Sequence, residues 1–432
     1  MTSEQGDASA AHDAGAAHDT SGVRGDGPLP DAPLLPSDGP PPPAWWHNGV
    51  ATCPELQAYI GKPTDCTAVL QMCINRTPTA APLEIQPGVY SLAGQAQLTK
   101  AITLRSAGKA GQPPCKVTGH SCAELKALPA LYDQFGLLRV TGSGVTVSHI
   151  VLNGNRQARA GTPAYTMCST LQDNSRGTNG AFFCSSCTLT GSVSKHALCG
   201  TGFVVSGSAQ KVTVTQSTFA ENGVHNVKNL WSDGLTVHDA VSSTFTHNTF
   251  IDNTDIDLIF GGCKSCTIQH NTITHGAAAA GGAFAALMIQ KWPSTSGCYE
   301  NVDVSHNSVD CGPNRQCGSG IYIGSESWYP ETPYGTLTPG TTSGAIHDNS
   351  VVNAMNGLYI AAQGLTIYKN GVLNAHGVSI PNSCHKPLVS VTPYVVSPTA
   401  KYIHFMGENV DPVMKVHFSS ADWSGCVPNY PF

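Results

Sequence analysis

One short phrase recurs along the second half of the chain and restricts the fold more than any other feature. It reads His247-Asn248-Thr249-Phe250, His270-Asn271-Thr272-Ile273, His306-Asn307-Ser308-Val309, Asp348-Asn349-Ser350-Val351 and Lys369-Asn370-Gly371-Val372. The asparagines are 23, 36, 42 and 21 residues apart. Looser copies stand at Val145-Thr146-Val147-Ser148-His149-Ile150-Val151 and Val212-Thr213-Val214-Thr215-Gln216-Ser217-Thr218-Phe219. A unit with a minimum near 21 residues and elastic insertions is one coil of a solenoid, which buries its apolar face only by stacking on its neighbours.

Each phrase follows a short alternating strand, such as Val302-Asp303-Val304 or Thr267-Ile268-Gln269. Some coils add a second strand, as at Gly320-Ile321-Tyr322-Ile323 and Gly357-Leu358-Tyr359-Ile360. No helical period accompanies the repeat, which disfavours leucine-rich, ankyrin and tetratricopeptide arrays and favours an all-β chain wound as a parallel β-helix. The 45 glycines and 29 prolines fit a turn-dense chain of that kind. The repeated Asn is expected at a left-handed turn, its amide bonding to its counterparts in a ladder along the axis.

The repeat does not reach the ends. Residues 1–44 are mostly Ala, Asp, Gly, Ser and Pro and contain little that could be buried, so they read as a disordered acidic and Pro-rich spacer. Residues 45–378 form the solenoid domain. Within it, Asp65 to Ile74 reads as a short N-terminal capping helix, with Asp65 at the N-cap and Val69, Met72 and Cys73 on one face. Leu83 to Leu92 reads as two strands around Pro87-Gly88. Residues 379–432 lose the repeat and read as a C-terminal cap over the open end.

Net charge excludes some partners. The first fifty residues hold one basic and seven acidic side chains, and the remainder is balanced at 21 of each. A neutral folded part lacks the basic field that nucleic-acid binding requires. No stretch approaches the roughly 18 apolar residues of a membrane span. Sixteen cysteines without a metal-finger pattern fit an oxidising compartment, hence a secreted or cell-surface protein. Met1-Thr2-Ser3-Glu4-Gln5 lacks the features of a signal peptide, so an export signal is expected upstream or already removed. The near-copies Phe183-Cys184-Ser185-Ser186-Cys187 and Cys263-Lys264-Ser265-Cys266 are expected to close disulfides within coils rather than to bind Zn2+.

On the capping helix, Ile85-Gln86-Pro87-Gly88-Val89-Tyr90, Leu152-Asn153-Gly154-Asn155-Arg156 and the repeated phrases, residues 60 to 380 resemble the right-handed parallel β-helix proteins of the pectate-lyase-like superfamily. That superfamily includes hydrolases, lyases, epimerases and non-catalytic adhesins, so the resemblance implies a fold and not a reaction.

The densest polar stretch is Gly223 to Asp239, followed by Asp252-Asn253-Thr254-Asp255-Ile256-Asp257. Coil alignment puts Asp233 and Asp255 on neighbouring coils. Strands about 4.8 Å apart then allow the roughly 5–9.5 Å carboxyl separations that glycosidases use. Strict alternation from Leu258 and Phe260 would send Asp257 outward on the same face as Asp255, and Asp233 inward unless it still belongs to the preceding turn. Ser232-Asp233-Gly234, Asn253-Thr254-Asp255, Thr274-His275-Gly276 and Ile289-Gln290-Lys291 are similar to the four motifs of polygalacturonase-type glycoside hydrolases. The resemblance implies that Asp233 and Asp255 are the catalytic carboxylates, that His275 tunes them and that Lys291 binds the sugar; Asp257, in the same stretch, is expected to complete the carboxylate set. The other reading of these carboxylates is turn capping, or Ca2+ held between coils.

Trp231, Trp292, Trp328 and Tyr329 lie in or beside insertions, where sugar rings could stack, and Glu326 adds a second candidate acid. A lyase would instead use Lys228, His225 or His238 as base, with Ca2+ or a cation neutralising a uronate. His149, His247, His270 and His306 hold repeat-phase positions and read as structural. The sequence therefore points to a monomeric enzyme cleaving a polysaccharide without a required cofactor, most directly by hydrolysis. A lyase or epimerase, and a non-catalytic glycan-binding protein, remain the alternatives.

Overall fold

The computed structural model describes residues 43–207, 209–224, 227, 229–276, 282–292, 294–324, 343–361 and 366–374, and the backbone of three further strands at 394–396, 404–406 and 409–410. Its strands stack into sheets of 13, 11 and 10 strands, in which each strand pairs with its counterparts one coil away. A complete coil reads Thr244–Thr246 in the first sheet, Thr249–Ile251 in the second and Ile256–Phe260 in the third, after which Thr267–Gln269 returns to the first. A narrow fourth sheet joins Ala209–Gln210, Ala240–Val241 and Cys263–Lys264. Among the described residues, apart from the opening hairpin Trp46↔Ala51 and an isolated antiparallel bridge between Gly223 and Trp231, the strand pairings are parallel, and the winding is that of a right-handed parallel β-helix.

Alternation along the short strands builds the interior. Val214, Phe245, Ile268, Val304 and Ile346 follow one another inside the first sheet, and Phe219, Phe250, Ile273 and Val309 inside the second. Stacking like residues coil on coil keeps aromatic faces in register: Phe219 and Phe250 lie 5.0 Å apart and nearly parallel.

The asparagine ladder takes a different form from the one expected. The left-handed residue is the one before each Asn: His247, His270, His306, Asp348 and Lys369 have φ between 52° and 57°. That kink turns the Asn inward. Asn248 Nδ2 donates to Asn271 Oδ1 at 3.0 Å, and the series continues through Asn307, Asn349 and Asn370 at 2.9 Å. Each amide also donates to a backbone carbonyl, such as that of Val214 or Phe245, so the corner between the first two sheets is hydrogen-bonded internally.

The cap helix runs Thr67–Arg76, two residues later than expected at its start. Asp65 lies outside it, accepting from the Thr67 amide at 3.0 Å, and Cys66 holds the N-cap position. Leu70, Cys73 and Ile74 form the buried face, whereas Met72 is exposed because it falls between those turns. The Pro87-Gly88 turn joins strands Pro82–Ile85 and Gly88–Leu92, which lie in different sheets. Although the Asn phrase stops before residue 379, strands Tyr394–Val396, His404–Met406 and Asn409–Val410 still add one member to each main sheet.

Six disulfides form among the described residues. Cys184–Cys187, Cys263–Cys266, Cys311–Cys317 and Cys115–Cys122 close short loops, while Cys53–Cys73 ties the cap helix down and Cys168–Cys199 holds the 155–179 insertion against the wall. Among the described residues, Cys66 and Cys298 take part in no disulfide. Cys384 and Cys426 fall outside the described residues.

Candidate active site

Asp233 owes its position to a break in alternation. A β-carbon on Gly234 would meet Phe250 Cδ1 at 2.8 Å and Asn253 Nδ2 at 2.9 Å, so Gly234 faces the interior, as does the next residue, Leu235. Two consecutive inward positions shift the phase by one, which turns Asp233 to the outer side with Thr236. Thr236 Oγ1 donates to Asp233 Oδ2 at 2.6 Å. On the next coil, the amide of Ile256 donates to Asp233 Oδ1 at 3.2 Å. The Asp233 carboxyl therefore sits against the peptide that joins Asp255 to Ile256, and the two acids are neighbours across one coil step. Asp255 is half-buried at the mouth of the Ile256–Phe260 strand, its carbonyl accepting from the amide of Phe284 at 2.6 Å.

The same break corrects the expectation for Asp257. Strict alternation would send it outward, but it occupies the inward column of Gly234 and is completely buried. Its flanking coils place Gly202, Gly234, Ala286 and Gly320 in this column, so one carboxylate stands among small residues. It is accommodated by two donors, Asn253 Nδ2 at 2.9 Å and His275 Nε2 at 2.8 Å. His275 is itself fully buried, and its Nδ1 lies 3.7 Å from Asp252. Neither His275 nor Asp257 faces solvent; they form an internal polar group behind Asp233 and Asp255.

The electrostatics follow from this placement. Burial pushes the Asp233 carboxyl well above the usual carboxylate range, and the charges of Asp255 and, more weakly, Asp257 push in the same direction; the Thr236 and Ile256 hydrogen bonds oppose them. Burial raises Asp255 to about 7. Outward side chains further along the sheet are also shielded, with Ile259 and Met288 at most 2% exposed. Both carboxyls therefore hold a proton to higher pH than an ordinary carboxylate does.

The remaining candidates lie elsewhere. Trp231, two residues before Asp233, is half-buried at the same edge. His238, Lys291 and Trp292 gather at the opposite edge, with the His238 and Trp292 rings edge-to-face at 5.3 Å and the Lys291 stem against Gly297. His238 lies five residue steps beyond Asp233, just past the end of the strand, roughly 16 Å at the usual rise. The structure thus separates Lys291, Trp292 and His238 from the acid pair. Lys228, His225, Trp328, Tyr329 and Glu326 lie outside the described residues.

Two contributors escaped sequence reasoning. Thr236 and Asn253 orient the carboxylates, and only the break at Gly234 makes Thr236 a neighbour of Asp233. Among the described residues, Cys53, Glu55 and Cys73 form the one group of three or more His, Cys, Asp or Glu whose ligand atoms come within 4.8 Å of one another, and its two cysteines are a disulfide. The acids of this corner do not converge in that way.

No family model matches the chain, and no curated protein matches its sequence. Solved structures do. The chain is similar to the endo-xylogalacturonan hydrolase from Aspergillus tubingensis, with TM-score 0.55 and 13% identity over 83% of this chain and 93% of that one. It is also similar to the catalytic domain of an α-1,3-glucanase in complex with tetrasaccharides, with TM-score 0.51 and 12% identity over 87% of this chain and 60% of that one. ORF18 of Geobacillus virus E2 has TM-score 0.51 and 12% identity over 82% of this chain and 60% of that chain. At such identities the shared property is the fold.

Proposed function

We propose that this chain, whose fold is that of the pectate-lyase-like right-handed parallel β-helix proteins, is an extracellular glycoside hydrolase that cleaves a polysaccharide with the Asp233–Asp255 pair. The observation that carries the reading is two acids on adjacent coils, both raised by burial, one of them to about 7. Glycoside hydrolysis requires one protonated carboxyl to protonate the departing oxygen and one ionised carboxylate to activate water. A pair that shares a proton near neutrality meets both requirements without a cofactor. Thr236 and the Ile256 amide hold Asp233 in place, and the buried Asp257 acts through its charge as a positioning and tuning residue. The named substrates of the two enzyme neighbours, a xylogalacturonan and an α-1,3-glucan, support a polysaccharide as the class of substrate. Six disulfides support an oxidising, extracellular setting.

The test is incubation with a panel of neutral and acidic polysaccharides, following new reducing ends and the ultraviolet absorbance of unsaturated uronates together. Hydrolysis gives reducing ends without absorbance. Asp233→Asn and Asp255→Asn are each expected to lower the rate by about 10²–10⁴-fold, the range for loss of an acid or base, with circular dichroism unchanged. Undiminished activity in both variants would remove the pair from the chemistry, and absorbance rising with reducing ends would replace hydrolysis by β-elimination.

A further inference from the structure

The corner between the first and second sheets carries a file of imidazoles that the carboxylate site does not use. His247, His270 and His306 occupy the same left-handed position on three consecutive coils, with φ of 57°, 54° and 56°. The kink that sends Asn248, Asn271 and Asn307 inward leaves these three rings exposed. Successive ring centroids are 4.9 Å and 5.1 Å apart, and the planes differ by 26° and 33°. Among the described residues, none of their ring nitrogens takes part in a hydrogen bond or ion pair. His347 contrasts with them: one coil further on, its Nδ1 meets Asp348 at 2.8 Å and its Nε2 meets Asp303 at 3.2 Å. The turn itself does not demand histidine, since Gln216, Asp348 and Lys369 hold the same position with the same backbone.

From this geometry we infer that the file is a binding site for a divalent transition metal of the imidazole-preferring class, Zn2+, Cu2+ or Ni2+, with His270 as the shared ligand. Imidazole nitrogens suit these ions, whereas Ca2+ and Mg2+ select oxygen. Ligand nitrogens sit about 2.0–2.1 Å from Zn2+, so two rings held one coil apart can converge on one ion by side-chain rotation alone. The sheet fixes the backbones beneath them, and little ordering remains to oppose binding. His247 and His306 are two coil steps apart, about 10 Å, too far to share an ion. One ion is therefore held by His270 with one neighbour, and water completes the coordination. This site is independent of the Asp233–Asp255 chemistry.

The test uses the full chain without an added histidine tag, titrated with ZnCl2 by calorimetry and loaded with Cu2+ for electron paramagnetic resonance. One ion per chain is expected, with nitrogen hyperfine coupling in the Cu2+ spectrum. His270→Asn keeps a residue suited to the left-handed turn and is expected to weaken binding at least as much as loss of an outer-shell partner does, about 10–100-fold, without change in melting temperature. His247→Asn or His306→Asn alone should weaken it less, because His270 keeps one partner, and His347→Asn should leave it unchanged. Absence of binding by the unaltered chain overturns the inference. So does undiminished binding by either His270→Asn or the His247→Asn/His306→Asn double variant.

Discussion

A buried acid is an electrostatic liability that the rest of the chain must offset, and the two outcomes stand side by side here. Asp257 keeps its carboxylate inside by accepting from Asn253 and His275, a local satisfaction that makes it part of the interior. Asp255 is held above the usual range by burial, at about 7 against 3.8. The native state therefore binds a proton that the unfolded chain releases between those two values. Stability from this group is complete below about 3.8 and is lost as pH rises through about 7. Asp233, also raised, contributes with the same sign. The urea midpoint of the wild-type chain should accordingly fall between pH 5 and pH 8, and Asp255→Asn should flatten that fall. A midpoint that rises over this interval would contradict the placement of the pair.

At the scale of the element, the third-sheet strand Ser232–Val237 shows how a single glycine directs chemistry. Gly234 leaves room for Asp257 beneath it and lets two successive residues face inward, so Asp233 emerges on the outer side. A β-carbon there would lie 2.5 Å from the Asp257 carbonyl oxygen, a backbone atom with no freedom to swing away. Gly234→Ala is expected to destabilise the coil by about 1–3 kcal/mol, the usual range for overpacking, and to lower activity further by displacing Asp233. Thermal melting and rate should therefore fall together, whereas Asp233→Asn should lower the rate alone. Parallel changes in both variants would show that the glycine has no role in aiming the acid.

A solenoid has no single centre, so its stability is distributed over contacts between neighbouring coils and over the staples that restrain insertions. The staples differ in reach. Cys168–Cys199 closes 31 residues and Cys184–Cys187 closes three. Chain-entropy arguments assign about 4 kcal/mol to the first and about 1.5 kcal/mol to the second. Replacing both cysteines of each pair by Ala should therefore lower the denaturation midpoint much more for Cys168/Cys199. Equal losses would mean that the 155–179 insertion is held by its packing and not by its disulfide. Since these bonds restrain the chain, a reducing buffer should lower its melting temperature.

Much of this was legible in order and spacing alone. The coil was readable because Asn recurs after short alternating strands, and a periodic backbone must repeat the same turn chemistry at each step. Pairing of Cys184 with Cys187 and of Cys263 with Cys266 was readable because three-residue spacing brings thiols together within one turn. The location of Asp233 and Asp255 on neighbouring coils followed from the same count. The sequence could not say which way a side chain faces once alternation breaks, because the break at Gly234 arises from contacts with Phe250, Asn253 and Asp257, all three on the neighbouring coil and none adjacent in the chain. It could not separate Lys291, Trp292 and His238 from the acids, since residues near in a motif series lie at opposite edges of one sheet. Nor could it show that His247, His270 and His306 stand ring to ring, because only the constant rise of stacked coils converts separations of 23 and 36 residues into one equal step. Local order and period determine the coil; direction, burial and the company each side chain keeps are decided between coils, where the contacts are nonlocal.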